Sequence, residues 1–300
     1  MQYIMINGGL ANQLFQYIFF RYIEETTGDE CILDDSEFVV TNFFNGYEIE
    51  DIFGLKPKRL SQIMPPDEWD KLIESSHKTS FKTIPGILSE KEPLSVIQEG
   101  NLFIDATTSY KNQFDGEIFN ATLNEYVPQV KDIEGSIYYF GYWINPFWFY
   151  YIRDIIIKEL TFPPITDDFN INMRNRICST NSVAIHVRRG EFIDIGRATP
   201  SEFYYNKVFE MRYKVRNPTF FVFSDDLKWC IENAENLGFI KTDEIVYVDG
   251  NKLKDSFRDM QLMSLCQNMV FGSSSFSYLA SLLNQNPNKF IIQPTRQYTL

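Results

Sequence analysis

From Val183 onward the chain alternates short apolar runs with helical stretches, and this rhythm leaves few folds open. Val183 to Val187, Thr219 to Phe223, Ile245 to Val248, Met269 to Phe271 and Lys289 to Gln293 each read as a buried strand. Helices are predicted between them. One is led by Thr199-Pro200-Ser201-Glu202 and reaches about Val215, and one follows Asp225-Asp226 to about Leu237, where Gly238 is a natural stop. Another runs from about Ser256 to Cys266, and the last follows the Gly272–Ser275 turn. Apolar strands separated by helices imply a parallel sheet covered on both faces. Ligands of such sheets bind beyond the carboxyl ends of the strands.

The first half opens the same way, with a strand at Tyr3 to Ile6, a Gly8-Gly9 turn, and a helix from Asn12 that lines up Leu14, Phe15, Ile18, Phe19 and Tyr22. A second strand follows at Cys31 to Leu33. From Thr41 to about Asn124, Pro65-Pro66, Pro85-Gly86 and scattered charges predict loops and short helices. Between Phe162 and Ser182, two prolines, paired acids and little periodicity read as a linker. The expected organisation is therefore two α/β domains, 1–160 and 183–300, joined by 161–182. A length of 300 residues suits two medium domains.

Charge narrows the function classes. Forty acidic against 28 basic residues give a net charge of −12, which repels nucleic acid and anionic lipid wherever cations do not cluster. An anionic ligand then needs a local positive site. Cys31, Cys178, Cys230 and Cys266 form no CxxC pair, and only His77 and His186 add imidazole, so free thiols in a reducing compartment are expected rather than a zinc site or disulfide framework. No long apolar run or signal-peptide pattern is present, and the expected location is cytoplasmic. The Asn120-Ala121-Thr122 sequon then has no consequence.

Five stretches carry candidate chemistry. Asn7-Gly8-Gly9-Leu10-Ala11-Asn12-Gln13 lies between a strand and a helix, where glycines let backbone N–H groups approach an anion. It equally describes an ordinary α/β turn, and GxGxxG is absent. His186-Val187-Arg188-Arg189-Gly190-Glu191 ends a strand, with His186 and Arg188 sharing one face and Arg189 the other. A guanidinium there can chelate a phosphate or simply pair with a neighbouring acid. Phe223-Ser224-Asp225-Asp226 also ends a strand. Its acids can cap the next helix, accept from a ribose or base, or hold Mg²⁺ on a diphosphate. Asp259 to Ser264, followed by Gly272-Ser273-Ser274-Ser275-Phe276-Ser277, offers serine hydroxyls and a helix start to an anion, while an N-cap accounts for one serine alone. Tyr138 to Tyr151 is dominated by aromatic residues, which suits either a bulky core or sugar packing.

In this order the stretches resemble the α-1,2-fucosyltransferase family, glycosyltransferase family 11. Gly8 to Tyr17 matches its GGLGNQ-like opening, His186 to Glu191 its HxRRGD element, Phe223 to Asp226 its FSDD, and Asp259 to Ser277 its D-x-x-L-M-S-x-C and NSSFS. Gly141-Tyr142 through Arg153 is similar to its GY-containing region. Ala11, Glu191, Asn268 and Tyr278-Leu279 depart from the usual pattern and leave the phosphate-binding set intact. The resemblance implies a GT-B fold of two Rossmann-like domains facing across a cleft, with the acceptor mainly on the first and GDP-β-L-fucose mainly on the second. It implies inverting transfer of L-fucose to the 2-hydroxyl of a terminal galactose on an oligosaccharide or surface glycan, with no cofactor or essential metal. Arg188 is expected to bind the β-phosphate and stabilise departing GDP, with His186 beside it. Gly8, Gly9 and Asn12 are expected to approach the diphosphate, Ser274, Ser275 and Phe276 to hold phosphates and sugar, and Asp225 to orient the nucleoside. Glu191 is the nearest acidic candidate for the base, with Asp194 second. A related transferase using another GDP-sugar or linkage, and a catalytically idle nucleotide- or glycan-binding protein, are the alternatives.

Overall fold

The computed structural model describes residues 1–40, 45–78, 83–90, 92–99, 110–114, 117–119 and 135–294. The sequon at 120–122 lies outside them. The chain divides into two compact units, Met1–Thr161 and Phe162–Leu300.

In the first unit a sheet has the order β2-β1-β6-β3-β4-β5, built from β1 (Gln2–Met5), β2 (Cys31–Asp34), β3 (Leu94–Glu99), β4 (Tyr110–Phe114), β5 (Glu117–Phe119) and β6 (Ser136–Phe140). The first four in that order run parallel, and β4 and β5 are antiparallel additions. Every residue of β1 and β2 is buried, as strands covered on both faces require. The helix Leu10–Thr27 packs close by and ends at Gly28, whose left-handed φ of 72° lets its N–H reach Glu24 O.

The aromatic stretch is mostly core. Phe19 stacks on Trp143 with centroids 4.0 Å apart and meets Tyr139 and Trp148 edge-on at 5.2 and 5.1 Å. Tyr138, Tyr139, Trp143, Trp148 and Phe149 are buried, while Tyr150 and Tyr151 are exposed. Packing, not sugar contact, explains the buried rings.

Two expectations need correction. Residues 41–124 are not only loops and short helices, because they also supply the Pro66–Lys78 helix and β3 to β5. Pro66 sits at the first helical position, where its missing N–H costs nothing, so the Pro-Pro pair starts a helix. The β3 sequence LSVIQE mixes polar and apolar residues, and such a strand is specified by its partners more than by local pattern. The stretch 161–182 is not all linker, since Asp168–Ser179 is a helix. Asp167 caps it by accepting from the Asn170 N–H at 2.8 Å, but Asn170 and Ile177 are its only buried residues, so its periodicity is faint.

The second unit holds a fully parallel sheet, β11-β10-β7-β8-β9, from β7 (Asn181–Val187), β8 (Pro218–Ser224), β9 (Glu244–Tyr247), β10 (Asn268–Phe271) and β11 (Phe290–Ile292). Val183, Ile185 and Val187 join Phe220, Val222 and Val270 against Phe203, Tyr204, Val208 and Met211 of the helix Ser201–Lys214. Alternation along β7 therefore puts His186 on the other face.

Candidate active site

Three adjacent strands of the second unit finish at one edge. Register pairs His186 with both Phe223 and Phe271, and Val187 with Ser224. The residues that follow β7, β8 and β10 thus leave the sheet side by side.

Arg188 is the half-buried cation at this edge. Its Nη2 donates to Glu191 Oε1 at 2.7 Å, its Nη1 lies 3.2 Å from Asp225 Oδ2, and its guanidinium carbon is 5.5 Å from the Phe192 ring centroid. Two carboxylates and a ring hold it in place without sealing it from solvent. Arg189 is spent on packing: its guanidinium lies 3.5 Å over the Trp229 ring and its Nε is 3.4 Å from Asp226 Oδ2.

The two acids after β8 divide the work. Asp225 Oδ1 accepts the Arg189 N–H at 2.8 Å while Oδ2 faces Arg188, so this carboxylate braces the arginine loop. A Cβ on Gly190 would lie 2.6 Å from Asp225 Oδ2, so only glycine admits the carboxylate this closely. Asp226 caps the helix Leu227–Glu232 by accepting the Trp229 N–H at 3.1 Å. Among the described residues no group of three His, Cys, Asp or Glu side chains is arranged to hold a metal ion.

His186 is buried, and its Nδ1 is sealed without a hydrogen-bond partner. Burial, reinforced by the Arg188 charge, pushes its pKa down to about 3. It is therefore a neutral imidazole at ordinary pH. A proton on the buried Nδ1 would be an unsatisfied donor, so Nε2 is the nitrogen suited to carry it. The ring centroid lies 6.0 Å from that of Phe276.

Beyond β10, Gly272 passes so close to Tyr204 and Thr199 that a Cβ would collide with both hydroxyls. The Ser273 N–H donates to Thr199 Oγ1 at 2.8 Å, fixing the turn. Ser274 is the N-cap of the helix Ser275–Leu283, with extended backbone and no capping bond from its side chain. The opening turn of this helix, with the positive end of its dipole, thus starts at the sheet edge from which Arg188 leaves.

Gly8, Gly9 and Asn12 belong to the first unit and form a turn of their own. Gly8 has φ of 73°, and a Cβ there would lie 2.8 Å from Asn12 Nδ2. The buried glutamines of the motif clamp this turn. Gln13 donates to Gly8 O and Gly46 O at 2.9 and 2.8 Å, and Gln16 donates to Asn7 Oδ1 and Gly141 O at 2.7 and 2.9 Å. Local sequence order does not reveal their scaffolding role, nor the steric demands at Gly190 and Gly272. In the motif pattern Asp259 carries no chemical signal beyond its place there, yet it is a distinctive group. Burial pushes its carboxyl up to about 7, and its Oδ1 accepts from Asn251 Nδ2 at 2.8 Å. An acid among the buried apolar residues of FRDMQLMSL was the available signal.

An arginine, a neutral histidine and a helix start thus share one parallel-sheet edge of an α/β protein, an arrangement suited to an anionic group. The fold is of the GT-B class. It matches fucosyltransferase NodZ from Bradyrhizobium with a TM-score of 0.50 and 13% identity over 94% of this chain and 92% of that one. It also matches an Arabidopsis thaliana FUT1 mutant in complex with GDP, with a TM-score of 0.50 and 14% identity over 98% of this chain and 71% of that one. The family description "Glycosyl transferase family 11" matches residues 111–299, more than half of the chain, and the protein belongs to that family. The alpha-1,2-colitosyltransferase of Escherichia coli is 28% identical over 304 residues, covering 96% of this chain and 89% of that protein. The O-antigen biosynthesis glycosyltransferase WbnK of Escherichia coli is 25% identical over 316 residues, covering 99% and 94%.

Proposed function

We propose that this glycosyltransferase moves L-fucose from GDP-β-L-fucose to the 2-hydroxyl of a terminal galactose on an oligosaccharide or surface glycan, inverting the anomeric carbon. The observation that carries the reading is the anchored, half-exposed guanidinium of Arg188 beside the start of the Ser275–Leu283 helix. Bond breaking at the sugar C1 leaves its electron pair on the diphosphate. A guanidinium and a helix N-terminus stabilise that growing charge in place of a metal.

In this mechanism Arg188 turns from its carboxylates to the β-phosphate when donor binds, with His186 as a neutral hydrogen-bonding neighbour. Ser274, Ser275 and Phe276 border the phosphates and sugar. Asp225 keeps the arginine loop in place on the nucleoside side. Glu191, released from Arg188, accepts the proton of the acceptor hydroxyl as its oxygen bonds to C1 and GDP leaves. Gly8, Gly9 and Asn12 are the first unit's anion-contact candidates. Among the described residues no helix is long and apolar enough to cross a membrane, and we place the reaction in the cytoplasm as part of the same proposal.

A second donor has specific support, because one relative is named a colitosyltransferase. Incubation with a galactose-terminated acceptor and a panel of nucleotide sugars separates the cases by mass spectrometry. The proposal expects one deoxyhexose from GDP-fucose, mapped to the galactose 2-position, with activity insensitive to EDTA. Transfer from a colitosyl donor alone moves the donor assignment, and GDP binding without transfer to any acceptor overturns catalysis. If chelation abolishes activity and Mg²⁺ restores it, Arg188 does not carry the leaving-group charge alone.

A further inference from the structure

Thr199 and Tyr204 have no part in the proposed donor contacts, yet their hydroxyls tie together the pieces of chain that make them. The Ser273 N–H donates to Thr199 Oγ1 at 2.8 Å, and the Thr199 hydroxyl in turn bonds to that of Tyr204. The Tyr204 hydroxyl donates to His186 O at 3.2 Å, a carbonyl that also accepts the Gly272 N–H at 3.4 Å.

A hydroxyl has one proton, so the direction of this chain is fixed. Thr199 accepts from the Ser273 backbone and gives its proton to Tyr204, which gives its own to His186 O. Burial raises the Tyr204 pKa, and the bonds received from Thr199 and the Gly272 N–H act against that rise, as donors to a phenolic oxygen do. Tyr204 is only 1% exposed, so loss of one member leaves its neighbours unpaired where water does not replace it.

The chain lies on the sheet face covered by the Ser201–Lys214 helix, opposite the His186 ring. Its anchors are the end of β7, the turn after β10, and Thr199, which closes the segment that begins at Arg188. That segment is folded back on itself, because the Arg197 and Ala198 N–H groups both donate to Phe192 O, at 2.7 and 3.0 Å. Thr199 is thus the point where the arginine loop meets the serine turn. Gly272 leaves the two no room to slide, since a Cβ there would collide with both hydroxyls.

We propose that Thr199 and Tyr204 are positioning residues for the donor, their hydroxyl chain fixing the separation of Arg188 from the first turn of the Ser275–Leu283 helix. The inference rests on the reading of those two groups as the donor site. A diphosphate that spans both is held only as well as their spacing is held.

Transfer kinetics and GDP titration calorimetry test the role. Thr199→Val keeps the side-chain shape but takes the acceptor from the Ser273 N–H, and Tyr204→Phe removes the next link. Each is expected to raise the GDP Kd and the donor KM about tenfold, while the acceptor KM stays within about twofold of wild type. Thr199→Ser keeps the hydroxyl and is expected to stay within about threefold of wild type in all three. Because both substitutions cut one chain, the double variant is expected to lose no more than about threefold beyond the worse single variant. Wild-type GDP affinity and donor KM in Thr199→Val overturn the proposal, even where the melting temperature falls. So does a Thr199→Ser enzyme as impaired as Thr199→Val, or a double variant whose losses multiply. Impairment of Arg188→Ala beside an unimpaired Thr199→Val removes the positioning role alone, whereas wild-type GDP affinity and turnover in Arg188→Ala remove the donor site with it.

Discussion

Desolvation favours the neutral forms of His186 and Asp259, and each makes stability depend on pH in its own direction. The His186 pKa falls from an ordinary 6.5 to about 3, so between those values the unfolded chain binds a proton that the folded chain refuses. Its contribution is intact above pH 6.5 and is lost as pH falls toward 3. Chemical denaturation of His186→Gln is expected to show a shallower acid-side loss than wild type, the difference growing by at most about 1.4 kcal/mol per pH unit below 6.5. Equal slopes would mean that the imidazole is not held neutral. Asp259 runs the other way. Raised from 3.8 to about 7, its neutral form stabilises the fold below pH 3.8, and that contribution is lost as pH rises through 7. Asp259→Asn keeps an acceptor for Asn251 and is expected to melt higher than wild type at pH 8, with the gain shrinking at pH 4. A gain of the same size at both pH values would contradict this.

At the level of elements, the loop after β7 is set by the residue that leaves room for its neighbour. Gly190→Ala is expected to displace Asp225 and loosen Arg188, lowering transfer by about tenfold or more while circular dichroism is unchanged. Wild-type kinetics in that variant would show that the Asp225 brace does not matter. The strands of the second unit were legible in the sequence because fully buried parallel strands are nearly uninterrupted apolar runs, as in VAIHV and TFFVF. β3 to β5 and the Asp168–Ser179 helix were not, since a mixed strand or a mostly exposed helix carries little periodic signal. The same contrast holds for the site. Placement of Arg188, Asp225 and Ser274 past strand ends follows from local order, and capping by Asp226 follows from helix-start chemistry. That Glu191 and Asp225 both grip Arg188, or that Gly272 lies under Tyr204, depends on contacts that local order does not encode.

On the scale of the whole molecule, the proposed reaction asks a chain of net charge −12 to meet an anionic donor, and the guanidinium of Arg188 is the group proposed to do so. The neighbouring Arg189 is stacked on Trp229 and paired with Asp226. Family membership fixes a glycosyltransferase. Chemistry at the strand edge then carries the proposal of a metal-free GDP-sugar reaction, and its weight falls on Arg188. The most direct test is the steady-state rate of deoxyhexose transfer by Arg188→Ala, read beside GDP-induced stabilisation of the same variant. The account predicts a loss of roughly 10² to 10³ in kcat, the size expected when a leaving-group stabiliser is removed, with weakened GDP stabilisation and an unchanged fold. Turnover near the wild-type rate in a folded Arg188→Ala enzyme would contradict it.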